Sequence, residues 1–144
     1  MRVATMGRVV VKAKIENLFD LNEADQGQLS RDKVRTIEVD DALVDTGATF
    51  LSMPKRFIQH LGLRQTRTRR VKMAAGIREV AMYDAAKLTV HDRDCLAQVS
   101  ELPDDCPVLV GQLALEAMDF VVDPVNQRVI GNPEHNGEWI SDLF

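Results

Sequence analysis

The sequence predicts a mostly-β barrel. Three observations carry that expectation. Short apolar stretches alternate with a period of two, turn-forming residues recur between them at close intervals, and only two short stretches have helical spacing. The 144 residues fit one domain, expected to span 1–144 with a core over about 8–132 and a tail over 133–144. Hydrophobic residues make up 45% of the chain but aromatics only 5%, so aliphatic side chains must carry most of the packing.

Residues 8–15 place Val9, Val11, Ala13 and Ile15 on one face and Lys12 and Lys14 on the other, which is the period of a half-buried strand. Residues 17–33 are polar, charged and glycine-containing, and read as a long surface loop with one weak helical turn. Residues 34–44 return to strand: Ile37 and Val39 share a face, then Ala42-Leu43-Val44 is continuously apolar as the chain enters the interior. Residues 54–61 predict a short helix, with Pro54 near its first turn, Gly62 as its stop and Phe57, Ile58 and Leu61 on one face. Two strand-like runs over 71–90 flank Ala74-Ala75-Gly76, the pattern of a hairpin. Further strands are expected over 96–100 and 108–110. Gly111 then leads into a second short helix over 113–118, with strands over 120–122 and 128–130. There is no internal repeat and no low-complexity linker.

A net charge of -4 and a pI near 5.3 argue against general binding of phosphate backbones. Arg64, Arg67, Arg69, Arg70 and Lys72 form a basic strip interleaved with threonines. Without an aromatic stacking platform the strip reads as a solvated strand edge that discourages aggregation. It would also suit acidic positions in a substrate. Residues 1–6 lack the apolar core of a signal peptide and no apolar run is long enough to span a bilayer, so a cytoplasmic protein with no membrane partner is expected. Cys95 and Cys106 are too few for a disulfide framework and read as reduced, small apolar residues. His91, Cys95, Cys106 and the neighbouring aspartates match no zinc spacing, so no metal is expected. No serine lies in a nucleophile elbow, and the three histidines have no motif around them. Trp139 and Phe144 in the tail either cap the core or meet a partner.

The chemistry concentrates in Ala42-Leu43-Val44-Asp45-Thr46-Gly47-Ala48-Thr49. Burying a carboxylate after an apolar strand is costly unless the following turn supplies N–H donors. Gly47 lets the main chain approach and donate to Asp45, and Thr46 adds a short hydroxyl. The plain alternative is an Asx-turn that ends a strand. The stretch resembles the active-site motif of aspartic proteases, in which two apolar residues precede Asp-Thr-Gly-Ala. Pro107-Val108-Leu109-Val110-Gly111 and the helix after it resemble the second hallmark of the retroviral-type members, about sixty residues downstream. Between the two motifs, residues 71–83 resemble the flap hairpin, with Ala74, Ala75, Gly76 and Ile77 near its tip. Asp123-Pro124 and Asn132-Pro133 are similar to bacterial members of the group.

The resemblance covers residues 34–130. It implies a closed β-barrel of the retropepsin type with a flap hairpin and one or two short helices. Asp45 would be the catalytic carboxylate, braced by Thr46 and Gly47, with Ala48 and residues 74–77 against the substrate. It implies hydrolysis of peptide bonds in extended polypeptide, with no cofactor and no nucleic acid. Such chemistry uses two carboxylates sharing one proton and holding one water. Only Asp45 sits in the motif, because Asp25-Gln26-Gly27 lacks the apolar approach, so the second should be Asp45 of a partner in a homodimer. Two charges about 3 Å apart at an effective dielectric of about 20 repel by roughly 5 kcal/mol, or about four pKa units, so the pair should hold one proton over a wide pH range. Two alternatives stay open. One is a catalytically retired relative that acts as a dimerisation or peptide-binding module, and the other is a nucleic-acid-binding barrel using the arginine strip.

Compared with compact viral enzymes, the 17–33 segment is longer, the tail from 135 extends past the family core, and the flap tip has fewer glycines, which implies a stiffer lid.

Overall fold

The computed structural model describes residues 8–143. The reading of residues 1–6 and of Phe144 lies outside the described residues. The alternation seen at the start of the sequence becomes β1 (Val9–Asn17), where Val9, Val11, Ala13, Ile15 and Asn17 are buried and Val10, Lys12 and Lys14 exposed. β1 pairs antiparallel with β2 (Thr36–Val44), and its second half also pairs with β5 (Gly76–Val90).

Residues 17–33 are not a loop. They form a two-turn helix, α1 (Leu18–Asp25), and a single 3-10 turn at Arg31–Lys33. Long-range hydrogen bonds hold this segment. Asn17 Oδ1 caps α1 by accepting from the Asp20 N–H, and its amide donates to the Leu61 carbonyl at 2.7 Å. The buried Asp20 carboxylate receives a bidentate pair from the Arg35 side chain and a third bond from the Arg35 N–H. Those bonds, above all the one from the Arg35 side chain, hold the Asp20 carboxyl below its ordinary value.

β3 (Leu51–Pro54), which the sequence did not signal, is buried at all four positions, and such a strand shows no alternation. It leads into α2 (Lys55–Leu61). Gly62 ends that helix at φ +68°, with Ile58 and Leu61 buried and Phe57 packed against them. β4 (Gln65–Met73) starts earlier than expected and takes in Arg67, Arg69, Arg70 and Lys72 of the basic strip, exposed as predicted for a strand edge, with Arg64 just before it. β4 and β5 form the hairpin around Ala74-Ala75. β6 (Arg93–Leu102), β7 (Leu109–Val110), α3 (Gln112–Ala117), β8 (Phe120–Asp123) and β9 (Arg128–Gly131) complete the order, with a 3-10 turn at Pro133–His135.

The main sheet runs β1-β2-β7-β3-β6-β5-β4, and β8 and β9 form a separate hairpin. The core is aliphatic, as the composition required: Ile15, Leu51, Met53, Ile58, Leu61, Leu88, Val99, Val110 and Met118 are all at most 1% exposed. Among the described residues no helix is long and apolar enough to cross a membrane.

Candidate active site

β7 is only two residues long, yet it sits between β2 and β3, parallel to one and antiparallel to the other. The Leu43 N–H donates to the Val108 carbonyl at 2.8 Å, and the Asp45 N–H to the Val110 carbonyl at 3.0 Å. Thus the second apolar motif fixes the end of β2, where Asp45 emerges. The chain then turns. The Gly47 N–H donates to Asp45 Oδ1 at 2.9 Å and the Ala48 N–H to the Asp45 carbonyl at 3.1 Å. The bond from Gly47 is the one expected from the sequence. Asp45 and Ala48 are half-buried, while Thr46 and Gly47 are exposed.

The turn is held from below by α3. The Gln112 N–H donates to the Ala48 carbonyl at 2.7 Å, and the Leu113 N–H to the Thr49 carbonyl at 3.3 Å. These are first-turn N–H groups that have no partner within the helix. Gly111 makes the approach possible, because a Cβ there would lie 2.5 Å from the Phe50 carbonyl oxygen. Beneath the site Ser52 and Ser100, both buried, bond hydroxyl to hydroxyl at 2.5 Å. Neither serine nor Phe50 was singled out in the sequence, since their roles come from strands distant along the chain.

Ala74, Ala75, Gly76 and Ile77 stand together at the exposed end of the β4–β5 hairpin, with Met73 opposite Gly76. Gly76 adopts φ +120° with nothing within 4 Å of an added Cβ, so its requirement is purely torsional. The hairpin reaches the Asp45 loop further down, where the Arg69 guanidinium lies over the Phe50 ring at 5.3 Å.

The other titratable candidates fall away from this chemistry. Cys95 and Cys106 are unbridged. Burial, with Asp94 adding to it, pushes the Cys95 thiol up to about 11, and burial raises Cys106 as well. Tyr83, opposed by burial and by Glu101, is pushed up to about 12 and donates to that carboxylate at 2.6 Å. His91 packs edge-on against Phe120. A cavity of about 530 Å³ lies between α1, α2 and β5, lined by Leu18, Phe19, Arg35, Leu63 and Arg64 among others, and Asp45 is not part of it. The Asp45 turn instead adjoins a pocket of about 80 Å³ lined by Thr49, Phe50, Leu96 and Leu113.

No curated protein matches the chain. Residues 32–117 match the gag-polyprotein putative aspartyl protease family, a span that takes in the Asp45 turn, the hairpin, β7 and α3. The chain belongs to this family of retroviral-type aspartyl proteases.

Proposed function

We propose that this chain is an aspartic endopeptidase whose active site is completed by a second copy of itself. The observation that carries the reading is the Asp45 turn, with a half-buried carboxylate held by the Gly47 N–H at the end of β2 and braced by β7 and α3. An aspartic site needs two such carboxylates, and residues 8–143 contain one Asp-Thr-Gly. The open setting of Asp45, outside the 530 Å³ cavity, suits half of a site. Leu96 and Leu113, 62% and 54% exposed beside the turn, leave apolar surface for a partner subunit or a substrate side chain.

In this reading β1, β2, β7, β3, β6 and β5 form a closed barrel, since β5 pairs back onto β1. One Asp45 takes a proton from the attacking water while the other, protonated, polarises the scissile carbonyl. The nucleophile is water, so no covalent intermediate forms. The hairpin closes over an extended peptide. Asp45→Asn should abolish cleavage of an unstructured protein such as casein and leave the fold intact, because Gly47 can still donate to the amide oxygen. The measurement is turnover across about pH 3 to 7 beside a thermal melt. Turnover by folded Asp45→Asn equal to wild type would overturn the assignment, and no turnover by the wild type would favour a retired peptide-binding relative.

A further inference from the structure

Neighbouring residues across a sheet point to the same face, so the face that carries Asp45 can be followed through the strand register. Leu43, two residues before Asp45, lies beside Leu109, which lies opposite Ser52. Ser52 lies beside Ser100, Ser100 opposite Met82, and Met82 opposite Arg67. From Arg67 the β4–β5 pairing continues without a register shift to the hairpin tip. The same face therefore carries the pairs Arg69/Val80 and Val71/Arg78. The contact of Arg69 with Phe50 agrees with this path.

The two faces of the hairpin differ in charge. Glu79, the single acid of the paired stretch from Arg67 to Met82, is on the other face, directly opposite Arg70. On the face shared with Asp45, Arg67, Arg69 and Arg78 stand opposite Met82, Val80 and Val71, with no acid among the paired positions from 67 to 82, and Asp84 further along β5 is already held by Arg64. All three arginines are exposed, and among the described residues none forms an ion pair. Three guanidinium groups without an ion-pair partner on one face of the hairpin, in a chain of net charge -4, form a local field that attracts carboxylates. Arg67 and Arg69 are two residues apart on one strand, roughly 6.6 Å, which is also the spacing of side chains i and i+2 in an extended peptide.

We propose that the hairpin selects substrates with carboxylate side chains at alternate positions of an extended segment, and that Arg67, Arg69 and Arg78 are the specificity-determining residues. The proposal rests on the reading of Asp45 as the centre of a peptidase. Asp45 itself repels acids at the scissile bond, so the preferred carboxylates lie to one side of it.

The test uses the full chain and four peptides of equal length, identical around the scissile bond. They carry Glu at i and i+2, Glu at i and i+1, Gln at i and i+2, or Lys at i and i+2. The readout is kcat/KM for each. The i, i+2 Glu peptide should lead its Gln counterpart by about tenfold, as two exposed-to-half-buried ion pairs would give. That lead should shrink as ionic strength rises and as pH falls through the ordinary Glu range near about 4.3. In Arg67→Glu/Arg69→Glu the order of Glu and Lys peptides should reverse. A ratio taken within one variant is insensitive to the fraction folded. Equal cleavage of all four peptides by the wild type would overturn the specificity and leave the peptidase reading standing. Cleavage of none would overturn both. Arginine-dependent binding of a single-stranded oligonucleotide, with no preference among the peptides, would overturn the proposal in favour of a nucleic-acid partner.

Discussion

Gly111 has no side chain because there is no room for one. Its φ of -90° is open to any residue, and what excludes a side chain is the Phe50 carbonyl, 2.5 Å from where a Cβ would sit, with Thr49 carbonyl atoms at 2.8 Å. These neighbours are backbone of the loop that holds Asp45, so they cannot swing away as a side chain would. Gly111→Ala should therefore destabilise the protein by about 1 to 3 kcal/mol, as overpacking does, and lower turnover by displacing the loop. Gly47→Ala, whose Cβ would be 3.2 Å from Asp45 Oδ1, should disturb the carboxylate with less effect on stability. Denaturant unfolding of the two variants separates these outcomes. Equal stability of Gly111→Ala and wild type would mean that the loop is not packed on α3 as described.

At the scale of elements, the segment after β9 is docked on the end of α3. Arg93, 7% exposed, donates to the Met118, Asp119 and Gly137 carbonyls, and its guanidinium lies over Phe120 at 4.7 Å. Trp139 Nε1 donates to the Ala117 carbonyl at 3.1 Å, and Asp119 meets His135 at 2.6 Å. Trp139 thus satisfies a carbonyl at the C-terminal end of α3 while its side chain stays 44% exposed, outside the buried core. The Asp119 bond, before all else, raises His135 above its ordinary 6.5. The His135 bond, joined by Asn132 and the Ile140 N–H, lowers Asp119 below 3.8.

The signs set a window. The stability from His135 is complete below 6.5 and is lost as pH rises through its raised value. The stability from Asp119 is complete above 3.8 and is lost as pH falls through its lowered value. Docking should be tightest between 3.8 and 6.5. Trp139 is the single tryptophan, so its emission reports docking directly. Emission should be steady across that window and shift to the red above it, and His135→Gln should remove the alkaline change. Emission of the wild type unaltered from the window into alkaline solution would disprove this role of the Asp119–His135 contact in docking.

For the whole molecule the decisive quantity is the number of chains per site. If each subunit supplies one Asp45, activity falls on dilution below the dimer dissociation constant. Mixing should also be dominant. With three Asp45→Asn chains to one wild-type chain and free exchange, a wild-type chain meets a wild-type partner about one time in four, so activity per wild-type chain drops to about a quarter. A peptide-cleavage assay after confirmed subunit exchange measures this. Activity proportional to the wild-type chains alone would show a site complete in one subunit.

How much of this was legible in advance follows from how far each signal reaches along the chain. The alternation of β1, the apolar face and glycine stop of α2, and the Asp-Thr-Gly turn are local patterns, so the sequence alone determined them, and with them the β-rich class and the candidate carboxylate. Its order of motifs also pointed to the family that the match over 32–117 shows. Tertiary structure decided the rest. α1 exists because Asn17 reaches Leu61 and Asp20 reaches Arg35, and no short window of sequence contains those pairs. β3 is buried on both faces and so carries no period to read. The arginine strip was visible as charge. Only the chain of register from Leu43 through Ser52 and Ser100 to Arg67 assigns three arginines of the β4–β5 hairpin to the face of Asp45, because a strand's period of two defines two faces without saying which one the rest of the molecule turns inward.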